Sequence, residues 1–232
     1  MVMQQLPLAM RLRERAVFES FVTGPNAQTV GHLMNLAEGA LADAAWLCGP
    51  TAAGKTHLLQ ALCARAQQRG LDAAFLPLQQ LRSLGAESLS GWQRMRVLAL
   101  DDVAAVVGDL GWERALFGLL REAQERGATL VAAAEEPPRQ LNFVLPDLAS
   151  RLAAATLLPL RPLDEVQQRE ALRLRAQARG LDLPEDTALY LQRHFPRDLP
   201  SLYQLLDTLD EAALAAQRRV TVPFIRSVLE SR

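Results

Sequence analysis

The sequence predicts an α/β fold: a parallel sheet covered by helices on both faces, followed by a small all-helical domain. Three observations carry that reading. Short apolar runs alternate with helical periodicity up to about residue 160. The first of these runs ends in a glycine-containing loop that opens a helix. Beyond Pro162 only helical periodicity remains.

Residues 13–22, RERAVFESFV, read as a lead-in segment. Residues 29–41 are amphipathic, with Val30, Leu33, Met34, Ala37 and Leu41 at helical spacing. AAWLC (44–48) is a short apolar run halted by Gly49, the pattern of a buried parallel strand. From Lys55 to Arg69 the period is helical, and Gly70 suits the C-terminal cap. DAAFLPL (72–78) and RVLALDD (96–102) are the second and third strand candidates. A helix over 110–126, ending at Gly127, leads to the fourth, ATLVAAA (128–134); TLLPL (156–160) is the fifth. Residues 164–179, 185–194, 199–217 and 222–230 are helical. There Leu199, Leu202, Leu205, Leu206 and Leu209 form one stripe, which reads as core packing. These boundaries divide the chain into a short leader (1–12), an α/β domain (13–160) and a helical domain (161–232).

Composition narrows the function classes. A chain of 232 residues can bury a sizeable core. Ala, Leu and Arg dominate and aromatics are few, which leans towards helix. The net charge of -1 argues against a uniformly basic nucleic-acid-binding surface. Cys48 and Cys63 have no metal-ligand company, and His32, His57 and His194 are scattered, so neither a disulfide scaffold nor a zinc site is supported. No run reaches membrane-spanning length and the start has no continuous apolar segment, so a reducing cytoplasm is the expected location.

GPTAAGKT (49–56) has the spacing G-x-x-x-x-G-K-[ST]. Gly49 and Gly54 let the backbone of Pro50, Thr51, Ala52 and Ala53 wrap closely round phosphate oxygens. The N–H groups of this loop and of the helix start, through His57, supply positive potential. Lys55 reaches the terminal phosphates, and Thr56 offers a hydroxyl to Mg²⁺. A glycine turn with an incidental lysine is the alternative. VLALDD (97–102) adds a buried strand ending in carboxylates, with Asp101 the metal-side candidate and Asp102 placed to orient or activate water. Together these motifs predict a nucleoside di- or triphosphate with Mg²⁺.

With EEPPRQLNFVLPDLASRL (135–152), LDLPEDTALYL (181–191) and RRVTVPFIRSVL (218–229), the chain resembles an AAA+ module of the branch that contains the replication initiator DnaA. Within that branch it is similar to the Hda family, the regulatory inactivators of DnaA. The resemblance implies a five-stranded parallel sheet followed by a helical lid. The chain ends at Arg232 without the DNA-binding domain that follows the lid in DnaA, so the resemblance implies a regulator acting on another protein.

The same resemblance makes Arg151, in LASRL, an arginine finger for a partner's ATP; on residues alone, pairing with Asp147 or a helix C-terminus is an equal alternative. It implies ADP (or ATP) as the resident nucleotide, with adenine contacts near Phe21 and Val22. It also implies that Gln5, Leu6, Leu8 and Met10 of QLPLAM form a docking peptide for the DNA polymerase III sliding clamp (beta subunit), so that DNA is met only through the clamp. Gln4 is an alternative anchor, and the start of a first helix packed through Leu8 and Leu12 is the alternative reading. Two positions depart from the family pattern. Glu135 and Glu136 stand where an Asp-Arg pair is usual, and Pro200 stands where the lid usually offers an arginine, with Arg197 about one turn away. Weak or no intrinsic ATPase is therefore expected. The expected function is negative regulation of replication initiation by promoting hydrolysis of DnaA-bound ATP. The alternatives are an autonomous motor or helicase loader on nucleic acid, and a nucleotide-binding scaffold without catalytic consequence; a monomer and a homodimer are both compatible with the sequence.

Overall fold

The computed structural model describes residues 16–39, 43–195, 198–216 and 221–230. The leader peptide with Gln4, Gln5, Leu6, Leu8 and Met10 lies outside the described residues, as do Leu41 and Arg197.

Five parallel strands, β1 (Ala44–Cys48), β2 (Ala73–Pro77), β3 (Val97–Asp101), β4 (Thr129–Ala134) and β5 (Thr156–Pro159), form one sheet in the order β2-β3-β4-β1-β5. Helices are α1 (Ala27–Ala37), α2 (Lys55–Gln68), α3 (Leu78–Leu81), α4 (Leu110–Glu125), α5 (Pro146–Ala153), α6 (Glu165–Ala178), α7 (Glu185–His194), α8 (Leu199–Ala216) and α9 (Val222–Glu230). Every residue of β3 and β4 is buried, so these strands read as unbroken apolar runs.

Alternate side chains of the strands enter two separate cores. Trp46, Leu98 and Leu100 pack with Leu116 and Leu120 of α4 and Leu148 of α5. Leu47, Ala99 and Val131 pack on the opposite face with Leu33 of α1 and Leu58, Leu59 and Leu62 of α2. A third core joins Leu172 of α6, Leu191 of α7, Leu202, Leu206 and Leu209 of α8, and Phe224 and Ile225 of α9. Within the predicted leucine stripe, those three leucines of α8 are buried, while Leu199 and Leu205 are only partly so.

The five strands and six of the helices fall where periodicity placed them, within a few residues. The predicted 29–41 helix is shorter at its end, because the chain turns out at Gly39 (φ +68°) after Glu38. Helix α5 and the string of short turns between Leu78 and Arg94 had no separate sequence expectation. Both cysteines are buried free thiols, and burial pushes Cys63 up to about 12, so it is inert as a nucleophile. Among the described residues no helix is long and apolar enough to cross a membrane.

The register brings the chemistry-bearing residues to one edge. Cys48 lies between Ala134 and Pro159, so the loop after β1, Glu135 after β4 and the exit of β5 emerge side by side. Asp101 ends β3, one strand beyond β4.

Candidate nucleotide-binding site

The loop between β1 and α2 carries its own structural reasons for glycine. A Cβ on Gly49 would sit 2.4 Å from the carbonyl oxygen of Leu160, so only a bare backbone passes β5 there. Gly54 has φ +97°, and a Cβ on it would sit 2.6 Å from the ring of Phe21. Between them Ala52 holds φ +67°, a conformation that strains a residue with a side chain. Such strain concentrates where a loop must present its N–H groups inward.

Lys55 is buried, and its Nζ donates to the carbonyl oxygens of Gly49 (2.7 Å) and Pro50 (2.9 Å). The ammonium is thereby held across the mouth of the loop. The Thr56 hydroxyl donates to Oδ2 of Asp101 at 2.6 Å. Oδ1 of Asp101 accepts from the N–H of Asp102 at 3.1 Å. Burial pushes the Asp101 carboxyl above its ordinary value of 3.8; the Thr56 hydrogen bond opposes this and the neighbouring Asp102 adds to it. Asp102 itself is exposed and left-handed (φ 54°), at the start of the short turn Val103–Val106. Thr51 donates to the carboxylate of Glu135, so the residue that follows β4 is tied to the loop.

His57 follows on α2. Its Nε2 lies 3.0 Å from the Val17 carbonyl and 3.4 Å from the Ser20 hydroxyl, and its ring meets Phe21 at a centroid distance of 5.5 Å. Burial lowers its pKa, which the Val17 carbonyl partly offsets and the cation of Arg175, on α6, reinforces. The segment from Val17 to Asn26 therefore bridges the phosphate loop and the lid. The Asn26 side chain completes the bridge, donating to the Arg161 carbonyl at 3.0 Å and accepting from its N–H at 2.8 Å. None of these contacts had a sequence signal, apart from Phe21, singled out through the family resemblance.

Oxygen donors are what Mg²⁺ prefers, and it takes them from one or two protein groups plus phosphates rather than from a closed protein cage. Thr56 and Asp101 fit that pattern: they are adjacent, both oxygen, and one is a carboxylate. Among the described residues there is no cluster of three or more His, Cys, Asp or Glu to hold a metal without phosphates.

Arg151 is not part of this constellation. It sits in the last turn of α5, just before the start of β5, whereas the phosphate loop follows the far ends of the strands. It lines a cavity of about 20 Å³ with Ala44 and Ala45, at the opposite end of β1 from Gly49. Its Nη1 donates to Oε1 of Gln124, and its Cζ lies 5.3 Å from the centre of the Phe117 ring, both on α4. Gln124 and Phe117 therefore hold the guanidinium, in place of Asp147. Pro200 falls in the first turn of α8, where proline's missing N–H costs no hydrogen bond.

A phosphate loop at one edge of a β2-β3-β4-β1-β5 parallel sheet, with a helical domain following the last strand, defines an AAA+ nucleotide-binding module. Residues 12–158 match the model of the bacterial DnaA ATPase domain, and residues 164–229 match that of the Hda lid domain. The chain belongs to the Hda/DnaA-like AAA+ family, and its pairing of domains is that of an Hda-like regulator of DnaA. Domain III of the Thermotoga maritima replication initiation protein DnaA superposes with a TM-score of 0.80 at 22% identity, over 93% of this chain and 96% of that one. AMPPCP-bound DnaA from Aquifex aeolicus gives 0.68 at 21% identity, over 84% of this chain and 65% of that one. A variant of Thermotoga maritima RuvB gives 0.63 at 16% identity, over 89% and 68%. At these identities the superpositions show the shared fold.

Proposed function

We propose that the protein is a cytoplasmic inactivator of DnaA that works from the sliding clamp. One observation supports this reading: Arg151 stands at the sheet end opposite this chain's own phosphate loop, away from its own nucleotide, as a group that serves a neighbour's site has to be. In the partner's site a water attacks the γ-phosphorus of ATP, the bond to the ADP oxygen breaks, and inorganic phosphate leaves. A guanidinium beside that phosphorus neutralises the charge that develops, and fingers supplied in trans are worth ~10³–10⁵ in rate.

The chain's own loop has a different task in this account. Lys55 and the loop N–H groups hold ADP or ATP, and Thr56 and Asp101 hold Mg²⁺, which supplies charge neutralisation of the phosphates. Asp102 is exposed beside the loop and orients water there. AMPPCP in the Aquifex aeolicus DnaA structure supports an adenine nucleotide as the occupant. Glu135, hydrogen-bonded to Thr51, brings a carboxylate to the loop, and Pro200 contributes no cation from the lid. Both favour a resident diphosphate and slow turnover. The leader peptide docks on the clamp, Gln5 through its amide and Leu8 and Met10 through apolar burial worth about 1.5–3 kcal/mol each. The three parts of the chain, 1–12, 13–160 and 161–232, then serve clamp docking, nucleotide holding and lid closure.

Capture on immobilised clamp tests the docking half of the proposal. The full chain is expected to be retained, and a Gln5→Ala, Leu8→Ala double variant to pass through. Equal retention of the two removes the clamp from the account. Nucleic-acid-stimulated hydrolysis that vanishes in Lys55→Ala would indicate a motor instead.

A further inference from the structure

We infer that Glu113 is a positioning residue for Arg151; the inference rests on the reading of Arg151 as a group that completes a neighbour's ATP site. Glu113 lies on α4 and is 0% exposed. Oε1 accepts from the N–H groups of Gly108 (2.8 Å) and Val144 (3.1 Å), and Oε2 accepts from that of Leu145 (2.6 Å). Leu145 is the N-cap of α5, the helix that carries Arg151. Gly108 belongs to the turn that leads away from Asp102. One carboxylate in the first turn of α4 thus fixes two pieces of backbone: the turn that precedes α4, at Gly108, and the approach to α5, at Val144 and Leu145.

The other end of α5 is held by the same side of α4. Phe117 and Gln124 follow Glu113 by four and eleven residues, which at 3.6 residues per turn puts all three within one stripe. They meet the guanidinium through its cation–π contact and its hydrogen bond. Both ends of α5 are therefore keyed to α4, the first through backbone N–H groups and the last through the functional side chain. Glutamine at position 113 keeps the shape but has one acceptor oxygen and turns an N–H₂ towards backbone donors. The mismatch falls on the segment that sets where α5 begins.

Single-turnover phosphate release from ATP-loaded DnaA, with the DNA-loaded clamp and a titration of this protein, tests the assignment. Glu113→Gln is expected to lower the plateau rate roughly tenfold, less than the ~100-fold that a full ångström of misplacement can cost. The concentration giving half the plateau, and the protein's own binding of ADP, are expected to stay at wild-type values. Gln124→Ala, at an exposed position, is expected to lower the plateau by a smaller factor, and adding Glu113→Gln to Arg151→Ala is expected to cost nothing further. A wild-type plateau for Glu113→Gln beside a collapsed one for Arg151→Ala overturns the positioning role and leaves the proposed function standing. An unchanged plateau with a raised half-saturating concentration assigns Glu113 to docking and also overturns it. A wild-type plateau for Arg151→Ala removes the proposed function instead. If Glu113→Gln does not fold, Gln124→Ala and Phe117→Leu decide, and wild-type plateaus for both overturn the inference.

Discussion

The Thr56 hydroxyl donates a 2.6 Å hydrogen bond to Oδ2 of Asp101, a residue 45 positions later in the chain. This contact joins the phosphate loop to the strand that supplies its carboxylate. It also joins two chemical demands that pull in opposite directions. A buried ionised carboxylate costs stability, yet an ionised carboxylate is what a magnesium shell needs.

Asp101→Asn separates those demands. Burial raises the folded-state pKa of Asp101 above 3.8, so between that value and the folded one the folded protein binds more protons than the unfolded chain. Stability from this group therefore falls as pH rises through that window. At neutral pH the neutral amide is expected to raise the melting temperature of the nucleotide-free protein. Mg²⁺-dependent tightening of ADP binding is expected to disappear in the same variant. Calorimetry with and without Mg²⁺ checks both, and a lowered melting temperature in the absence of nucleotide would count against the electrostatic account of this site.

Gly54→Ala tests the shape of the loop. Its φ of +97° and the Phe21 ring 2.6 Å from the added Cβ make the substitution strained on two counts. A loss of about 1–2 kcal/mol is expected from the left-handed backbone alone. The urea midpoint should fall accordingly. An unchanged midpoint would mean that the loop relaxes freely.

His57 sets an acid limit on stability. Its folded-state pKa is lowered from the ordinary 6.5, chiefly by burial, so the folded state binds fewer protons than the unfolded chain just below pH 6.5. The contribution is fully present above 6.5 and is lost as pH falls towards the folded value. Wild-type melting temperature should drop between pH 7 and pH 5.5, and His57→Gln should flatten that part of the profile. Parallel profiles for the two proteins would assign the acid sensitivity elsewhere.

Glu135→Gln addresses nucleotide choice. The carboxylate is tied to Thr51 of the phosphate loop, so it adds negative charge where a third phosphate would add more. The amide keeps the hydrogen bond and removes the charge. The ratio of ATP to ADP affinity is expected to rise several-fold, read by competition against a fluorescent nucleotide. A ratio equal to that of the wild type would show that Glu135 acts on the loop's shape alone.

These expectations show where the sequence is readable. Strands such as VLALD and TLVAAA are buried on both faces, so their apolar runs announce them. The phosphate loop is equally plain, because its spacing follows from backbone geometry. Helix α5 is hard to see: it is eight residues long, starts on a proline, and buries only Leu148 and Leu152. Glu113 is hidden for another reason. A glutamate in an amphipathic helix reads as solvated, and only the fold shows that it faces three backbone donors. The family resemblance singles out Arg151, while its contacts with Gln124 and Phe117 are visible only in the packing of α5 on α4.

The most direct test of the central claim is the rate at which ATP-loaded DnaA releases phosphate when mixed with this protein and the DNA-loaded clamp, wild type against Arg151→Ala. The Arg151 guanidinium is only partly buried and meets the exposed Gln124 and the Phe117 ring, so its loss should cost about 1 kcal/mol or less in stability and leave ADP binding intact. The account predicts that wild type accelerates release and that Arg151→Ala returns it to the rate of DnaA alone. Full acceleration by a folded, ADP-bound Arg151→Ala would contradict it.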